Sequence, residues 1–408
     1  MRAPAILGVV LVAQVFSPAP VTSSPDPSAG SGLPRAESSG EGPRYEPGVT
    51  VTVTNPIDLA RPTETITLDV AALHKVLTFT DPRTIHVRDE RTGADLLTQA
   101  IDLDDNGTFE QVIFQTDLAP KGTQTFGLSV GERRIAQRDE FKAYGRFVRE
   151  RRDDFAWEND RIAHRMYGAA LETWAQEPLT SSAVDVWSKR THRLVINDWY
   201  MVDDYHRDTG EGADLYSAGK TRGCGGNALW QDGRLYASAN FRDSRVLANG
   251  PIRVMFELVY ESWNAAGTPV RETKRITLDA GSNLDRYESL YSGAGTTLEH
   301  AVGIRKPAGA TTTFDAASGI LRSWETFKDN NGSLGCAVII DPATVVSQVE
   351  ADGNALVVTR LPASGAVSYY AGFAWDKAGD ITSPAQWERY TADYARRMRA
   401  PVTLNYGE

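Results

Sequence analysis

Apolar and polar side chains alternate with a period of two along most of the chain, beginning near residue 48. In the first run Val49, Val51 and Val53 alternate with threonines, and the run ends at the turn dipeptide Asn55-Pro56. Such alternation is typical of a strand with one buried and one exposed face. Similar runs follow at residues 65–70, 84–88, 110–115 and 123–130. The pattern predicts an N-terminal β layer, built as an antiparallel meander, that ends at about residue 135.

The clearest alternation lies between residues 251 and 291. Apolar Ile252, Val254 and Phe256 stand at every second position, and turns at residues 264–267 and 281–283 divide the segment. We therefore predict three antiparallel strands with one core face and one polar face. The polar face is expected to carry Arg253, Glu257, Arg271 and Arg275.

One amphipathic helix is predicted near the C-terminus. Ser383 is a suitable N-cap, Pro384 fits the first helical position, and Gln386 completes a capping box. An apolar stripe at helical spacing follows, formed by Trp387, Tyr390, Tyr394 and Met398. With so many strands and no clean linker after residue 46, residues 47–408 are predicted to form a single all-β domain. We expect a large antiparallel β-sandwich of the supersandwich type with this one C-terminal helix.

The first 46 residues lack the strand pattern. Residues 1–22 combine one arginine, an apolar run and a stretch of small residues, which predicts a signal peptide, with an uncleaved N-terminal anchor as the alternative. Residues 23–46 are rich in Ser, Pro, Gly and Glu, which predicts a disordered linker. We expect a periplasmic or secreted bacterial protein without a membrane anchor in its mature form.

Composition narrows the possible partners. The 408 residues include 43 Lys and Arg against 53 Asp and Glu, a net charge of −10, which argues against a nucleic-acid partner. Cys224 and Cys336 allow one disulfide bond or two separate buried thiols. No feature of the sequence predicts an oligomeric state.

Aromatic and titratable residues are concentrated in residues 151–300, which hold six of the nine Trp and four of the six His. Most of the aromatic rings are expected to pack in a core. Residues 199–226 are different, because six glycines are interspersed with His, Asp, Glu, Tyr and Arg. Polar groups on loops carried by a rigid scaffold are typical of functional sites, so we predict a site here.

The sequence gives little support for other catalytic mechanisms or for a metal site. The His-Glu-x-x-His motif is absent from the sequence, which argues against a zinc-protease mechanism. The Gly-x-Ser-x-Gly match at residues 127–131 lies at the end of a predicted strand and not on a strand-to-helix elbow, which argues against a serine-hydrolase mechanism. Residues 102–107 resemble a calcium loop, but Ile113 stands where that loop needs Glu, so we interpret them as a strand–turn–strand. No cofactor is expected. A divalent cation held by His206, Asp208 and Glu211 stays open as an alternative.

Four motifs carry a family resemblance: WENDRIA at residues 157–163, VDVWSKR at 184–190, DYHRDTGEG at 204–212 and RGCGG at 222–226. Together they resemble the exported bacterial family of domain of unknown function 4861. The resemblance implies a galactose-mutarotase-like supersandwich that acts on carbohydrate. It further implies an oligosaccharide dehydratase or lyase that forms a 4,5-unsaturated uronate by β-elimination.

Such an elimination needs a group that neutralises the uronate charge, a base for the C5 proton and an acid for the leaving oxygen. The predicted catalytic residues are His206 or His164 as base, Tyr205 or Tyr200 as acid, and Arg222, or alternatively Arg165, as the clamp for the uronate carboxylate. Trp187 and Trp199 are expected to stack on sugar rings. The predicted substrate-binding residues are Arg165, Lys189, Arg190, Trp187, Trp199, Glu211 and Asp214.

Alternative functions and roles stay open. The arginines can instead form structural ion pairs with Asp160 or Asp214, and the aromatic residues can be core. The expected partner is an oligosaccharide substrate. A sugar mutarotase or epimerase, or a non-catalytic carbohydrate-binding sandwich, are the alternative functions.

Overall fold

Strands dominate the structure, as the two-residue alternation predicts. The computed structural model describes residues 49–202, 205–295 and 297–407, which lie within one compact unit. The predicted signal peptide and linker lie outside the described residues.

The strands and helices have the following bounds. In the N-terminal half the strands are β1 (Thr50–Thr54), β2 (Arg61–Asp69), β3 (Ile85–Asp89), β4 (Asp95–Leu96), β5 (Thr98–Ile101), β6 (Gln111–Leu118), β7 (Thr123–Val130), β8 (Ala143–Val148), β9 (Asp154–Asn159), β10 (Ala163–Met166), β11 (Asp185–Lys189) and β12 (Gly212–Ala213). They continue with β13 (Cys224–Gln231), β14 (Arg234–Tyr236), β15 (Asp243–Asn249), β16 (Arg253–Ala265), β17 (Thr268–Asp279), β18 (Leu284–Ser292), β19 (Glu299–Arg305), β20 (Thr311–Asp315), β21 (Ile320–Thr326), β22 (Ser333–Ile339), β23 (Val345–Ala351), β24 (Asn354–Thr359), β25 (Ala366–Trp375) and β26 (Thr403–Gly407). The α-helices are α1 (Val70–Leu73), α2 (Ile196–Tyr200) and α3 (Pro384–Arg399). Short 3-10 turns occupy Pro82–Thr84, Arg138–Glu140, Arg149–Arg151, Ala169–Thr173, Pro342–Thr344 and Asp376–Ala378.

The strands pair into antiparallel sheets. The large sheet has the order β15-β16-β17-β18-β25-β22-β21-β20, the companion sheet β14-β13-β19-β24-β23, and the small sheet β12-β11-β10-β9-β8. An isolated bridge between Val184 and Gly223 joins the small and companion sheets. The N-terminal layer consists of the sheets β26-β1-β7-β3-β4 and β2-β6-β5.

The main core lies between the large sheet and the other two sheets of the sandwich. Trp157 and Val186 from the small sheet and Val302 from the companion sheet pack with Phe256 and Val338 of the large sheet. All five side chains are fully buried. Apolar burial on this scale is the main stabilising contribution to such a fold. The predicted all-β sandwich with a C-terminal helix is confirmed.

The N-terminal layer has a core of its own, in which Val51, Ile66, Phe114 and Phe126 are buried. The last strand of the chain completes this layer, because β26 pairs with β1 along its whole length. This pairing was not predicted from the sequence, because local alternation does not determine which strands pair.

The predicted meander of residues 251–291 forms β16, β17 and β18. Phe256 lies opposite Ile276, and Ile276 lies opposite Tyr287, so the apolar positions share the core face. On the other face, Glu257 lies opposite Arg275, which pairs opposite charges across the strands. The predicted division into a core face and a polar face is confirmed.

Helix α3 begins as predicted, with Ser383 accepting the backbone N–H of Gln386. The capping box is shifted, because the side chain of Gln386 accepts the N–H of Thr382 rather than that of Ser383. The predicted stripe is partly wrong, since Met398 is 40% exposed. The buried positions of α3 are Trp387, Thr391 and Ala395. Within the described residues, no helix combines the length and the apolar character needed to cross a membrane.

A disulfide bond joins Cys224 in β13 to Cys336 in β22, with Cα atoms 5.7 Å apart. It therefore links the companion sheet to the large sheet through the main core. Of the two alternatives that the sequence allowed, the structure has the bonded one.

Candidate functional site

The outer face of the small sheet, opposite the main core, carries a buried group of charged side chains. Arg165 in β10 lies opposite Asp185 in β11 and opposite Ala156 in β9. Because side chains alternate along a strand, Asp154 points to the same face as Ala156. Strand register therefore brings Asp154, Arg165 and Asp185 together.

Arg165 is the centre of this group. Its Nε donates to Oδ2 of Asp185 at 2.8 Å, and its Nη2 donates to Oδ2 of Asp214 at 2.9 Å. Its Nη1 donates to the hydroxyl of Tyr205 at 3.3 Å and lies 3.8 Å from Oδ2 of Asp154. We call Arg165 and the three carboxylates the arginine cluster. The structural ion pair between Arg165 and Asp214, an alternative left open by the sequence, is present.

The carboxyl groups of the cluster are strongly affected by burial. Loss of solvent raises the pKa of Asp154 to about 7, although the charge of Arg165 acts in the opposite direction. The same cause raises the pKa of Asp214 to about 8. In each of these two groups Oδ1 is buried without a hydrogen-bond partner among the described residues. Burial therefore favours the protonated form of both groups up to about neutral pH, and the cluster carries less negative charge there than three ionised carboxylates would.

Aromatic rings cover the cluster. Trp187 is fully buried and packs against Trp199, Tyr200 and Tyr205, with ring centroids 5.4, 4.8 and 5.1 Å away. The predicted sugar-stacking role of Trp187 and Trp199 finds no exposed ring face, because both rings belong to this packed group. The hydroxyl of Tyr200 donates to Oδ2 of Asp154 at 3.4 Å inside the cluster, and burial raises its pKa well above the ordinary value.

Tyr205 and His206 connect the buried cluster to solvent. The His206 side chain is 57% exposed, and its ring lies 4.7 Å from that of the half-buried Tyr205. Nδ1 of His206 lies 3.2 Å from the backbone carbonyl oxygen of Asp214. Since a carbonyl oxygen only accepts, Nδ1 is the hydrogen-bond donor, and in the neutral ring the lone pair is on Nε2. The backbone N–H of Asp214 in turn donates to the carbonyl of Tyr205, which closes this loop.

Charged side chains surround this opening. Arg190 lies 3.4 Å from the carboxylate of Asp208, and its guanidinium is 5.3 Å from the Trp375 ring centroid. Glu211 is bound by Arg193, whose hydrogen bonds lower the pKa of Glu211. Of the predicted binding residues, Arg190 and Glu211 are thus at the surface.

The metal alternative is not supported by the geometry. Asp208 is engaged by Arg190 and by the backbone N–H groups of Gly210 and Gly212. Within the described ranges, the acidic group whose ligand atoms lie within 4.8 Å of one another is instead Asp102, Asp104 and Glu110. The carboxylate of Asp102 accepts backbone N–H groups of residues 104–107, in keeping with the interpretation of that loop as a turn.

Two predicted residues lie beside other buried carboxyl groups. His164 is fully buried on the core face of the small sheet, with Nε2 2.9 Å from Oδ2 of Asp285. Nζ of Lys189 donates to Oε2 of Glu158 at 2.7 Å and to the carbonyl oxygen of Asn159 at 2.7 Å. Neither side chain reaches solvent, so their predicted contacts with substrate are corrected to structural roles. Both faces of the small sheet are buried, and alternation alone cannot reveal this.

Arg222 is also interior. Its Nη1 donates to Oγ of Ser182 at 3.1 Å and to the carbonyl oxygen of Asn227 at 3.2 Å. Burial lowers its pKa, and its side chain is 4% exposed. The predicted role of Arg222 as a clamp for the substrate carboxylate is therefore corrected. Arg165 is likewise corrected, because its three donor nitrogens already face protein partners.

Two glycines of residues 199–226 serve close packing rather than loop flexibility. Gly212 has φ +117°, and a Cβ there would lie 1.9 Å from the carbonyl oxygen of Ser188. Gly223 has φ +63°, and a Cβ there would lie 2.0 Å from the carbonyl oxygen of Val184. Both positions require glycine for the approach of neighbouring strands. The high glycine content of this segment is thus partly architectural.

Sequence reasoning missed Asp154 and did not assign a role to Asp185. Both could be found only through strand register, which sets them beside Arg165. A carboxylate on a neighbouring strand of the sheet leaves no local signal in the sequence.

The chain is similar to another protein in sequence and to a solved structure in fold. The chain is 32% identical over 383 residues to an uncharacterized protein, P7, of Formosa agariphila, covering 87% of this chain and 92% of that protein. An alpha-mannosidase structure from Enterococcus faecalis aligns with a TM-score of 0.50 and 10% identity. The alignment covers 88% of this chain but only 46% of the mannosidase, so the chain spans about half its length, and the likeness concerns the fold alone.

A family model describes most of the chain. The model of the domain of unknown function 4861 matches residues 53–404, which include all strands from β2 to β25 and the whole arginine cluster. The chain is a member of the family of domain of unknown function 4861.

Proposed function

We propose that the chain is a carbohydrate-active enzyme that cleaves a C–O bond of uronic-acid-containing oligosaccharides by β-elimination. The product is a 4,5-unsaturated uronate. The observation that carries the proposal is the hydrogen bond from Nδ1 of His206 to the Asp214 carbonyl, which leaves Nε2 as an exposed base. The likeness of the fold to that of an alpha-mannosidase supports a carbohydrate as substrate.

The base in this proposal is His206. A neutral imidazole with a fixed Nδ1–H presents its Nε2 lone pair in one direction, as general-base catalysis requires. The imidazolium that forms keeps the hydrogen bond from Nδ1 to the carbonyl oxygen of Asp214, which stabilises it. His164, the other predicted base, is too deeply buried to meet an oligosaccharide.

The acid in this proposal is Tyr205. Arg165 donates a hydrogen bond to the phenol oxygen, so the phenolic hydrogen is left for the leaving group. The phenolate that forms is stabilised by the same guanidinium, which is buried and permanently charged. The hydrogen bonds to Asp185 and Asp214 hold Arg165 in place and make it a positioning residue.

The proposed β-elimination moves one proton to His206 and one hydrogen from Tyr205. Nε2 of His206 takes the proton from C5 of the uronate, and the C5–H electron pair forms the C4–C5 double bond as the C4–O bond breaks. The leaving oxygen receives the hydrogen of Tyr205 and departs as water or as a sugar hydroxyl. Arg190, at the exposed rim, is the side chain that we assign to the uronate carboxylate, because guanidinium groups pair well with carboxylates.

The test is incubation with saturated uronate-terminated oligosaccharides while absorbance is followed at about 235 nm, where the conjugated product absorbs. His206→Ala should lower kcat/KM by about 10²- to 10⁴-fold, the usual contribution of a general base. His192→Ala is the matched control, since His192 is also exposed and also directs Nδ1 to a backbone carbonyl, at 2.8 Å. Tyr205→Phe should lower kcat more than it changes KM.

The outcomes separate the competing functions. No absorbance change on any uronate, with anomer interconversion seen by NMR, would favour a mutarotase. Binding without turnover would favour a carbohydrate-binding module. Full activity of His206→Ala would place the base elsewhere and overturn the proposed mechanism.

A further inference from the structure

A cavity of about 770 Å³ lies on the polar face of the large sheet. It is bounded by Arg253 and Arg275 of the predicted polar face, by Thr65 in β2 of the N-terminal layer and by Tyr390 in α3. None of the residues assigned to the elimination lines it. Its volume falls within the range of about 300–1,000 Å³ that is typical of small-ligand sites.

Cross-strand ion pairs fix the charged groups of this cavity. Arg253 binds Asp279 through two hydrogen bonds of 2.6 and 2.8 Å. Arg275 is held in the same way by Glu257, with Nη2 donating at 2.7 Å. Because each pair occupies only part of the donors of a guanidinium, the remaining N–H groups are oriented but available. Held side chains of this kind lose little entropy when a ligand binds.

Tyrosines form the end of the cavity nearest α3. The rings of Tyr370 and Tyr394 meet edge to face with centroids 5.5 Å apart. The hydroxyl of Tyr390 accepts the backbone N–H of Asn283 at 2.9 Å, which leaves its own hydrogen to donate. Burial raises the pKa of Tyr370 and Tyr394, so both remain neutral phenols.

The combined lining fits a polyhydroxylated anion. Sugar hydroxyls both donate and accept, and the cavity offers arginine donors and carboxylate acceptors beside aromatic rings. Its charged lining consists of five arginines and four carboxylates, and Glu257, which holds Arg275, supplies a fifth carboxylate beside it. The guanidinium N–H groups that these ion pairs leave free favour a sugar that bears a carboxylate, because guanidinium groups pair well with carboxylates.

We propose that this cavity is a second binding site, which holds a segment of an acidic oligosaccharide away from the His206 site. The site would retain a polymer chain that is processed elsewhere on the protein, or another molecule of it, and so raise the local concentration of substrate. The choice of a uronate as the anion rests on the proposed function, whereas the existence of an acidic-sugar site rests on the cavity alone.

The test is calorimetric titration of the His206→Ala protein with a saturated glucuronan trisaccharide, with cellotriose as the neutral analogue of the same linkage. The double variant Arg275→Gln/Arg286→Gln, in the same background, should raise Kd for the trisaccharide at least tenfold. Arg271→Gln is the matched control, because Arg271 lies on the same face of β17, exposed and outside the cavity, and should change Kd less than twofold. Cellotriose should bind at least tenfold more weakly than the trisaccharide.

Several results would overturn this inference. One is an unchanged Kd in the double variant, and another is equal affinity for cellotriose. A third is loss of kcat in an otherwise wild-type Arg275→Gln/Arg286→Gln protein, which would make the cavity the reaction site. Absence of elimination with binding retained at the cavity would refute the proposed function and leave the second site standing.

Discussion

The most direct physical test of the arginine cluster concerns the proton on Asp154. The Asp154 side chain is 1% exposed, and burial raises its pKa from 3.8 to about 7. The unfolded chain releases this proton near pH 4, whereas the native protein keeps it up to about pH 7. Native protein therefore binds more protons than unfolded protein in this window, and its stability falls as pH rises.

The magnitude follows from linkage. One retained proton changes the free energy of unfolding by about 1.4 kcal/mol per pH unit, or about 4 kcal/mol over the three units between pH 4 and 7. The raised pKa of Asp214 adds a second contribution of the same sign. Asp154→Asn replaces the protonated carboxyl by a neutral group of the same shape and removes one of the two contributions. The difference in slope between wild type and variant should thus be about 1.4 kcal/mol per pH unit.

The assay is urea unfolding of both proteins at half-unit intervals from pH 4.5 to 7, in a buffer of constant ionic strength. Asp58→Asn, at an exposed position of the N-terminal layer, controls for the chemical change itself. Only the slope of the free energy of unfolding against pH is interpreted. A constant difference between the two curves reflects the replacement of the carboxyl group by an amide. Parallel curves for wild type and Asp154→Asn would show that Asp154 is ionised in the native protein and would refute the argument for a proton-holding cluster.

Two further predictions concern stability. The disulfide between Cys224 and Cys336 closes a loop of 112 residues, so Cys224→Ala/Cys336→Ala should lower the free energy of unfolding by about 3–5 kcal/mol in denaturant titrations. A loss below about 1 kcal/mol, unaffected by reductant, would contradict the bonded state. Lys189→Met leaves the Glu158 carboxylate buried without its cation and should cost about 3–5 kcal/mol, with part of the loss recovered by adding Glu158→Gln. Wild-type stability of Lys189→Met in thermal melts would refute a role for this pair.

The face of each strand could be predicted from the sequence, but strand neighbours could not. Alternation correctly separated the core face of β16 from the face that carries Arg253. In β10, His164 and Arg165 are successive residues and lie on opposite faces. Period-two patterns contain this information because successive side chains point to opposite faces. The neighbours of Arg165 come from β11 and from Asp214 after β12, and these depend on register across a sheet.

Part of the candidate site was misjudged because the sequence does not show which charged side chains are covered. Lys189 and Arg222 have the residue types of a binding site, but tertiary packing buries both and supplies their partners. Trp187 and Trp199 were assigned to sugar stacking, whereas they pack against each other. Tyr205 and His206, which remain at the surface, belong to the segment singled out from the sequence, and their role in a site stays a prediction. Their exposure follows from the way residues 205–214 fold back on themselves through the Tyr205 and Asp214 backbone.

The raised pKa values of Asp154 and Asp214 lower the negative charge that an acidic substrate would meet at the proposed site. With Asp154 and Asp214 protonated, the cluster consists of one guanidinium and the carboxylate of Asp185, and its net charge is close to zero. With both ionised, two negative charges would lie beside the His206 site. At about 6 Å and an effective dielectric constant of about 20, each such charge would repel a uronate by about 3 kcal/mol. Burial of the cluster therefore lowers the electrostatic repulsion that an acidic substrate would meet at the proposed site. The proposed reaction assigns the substrate carboxylate to Arg190, at the exposed rim.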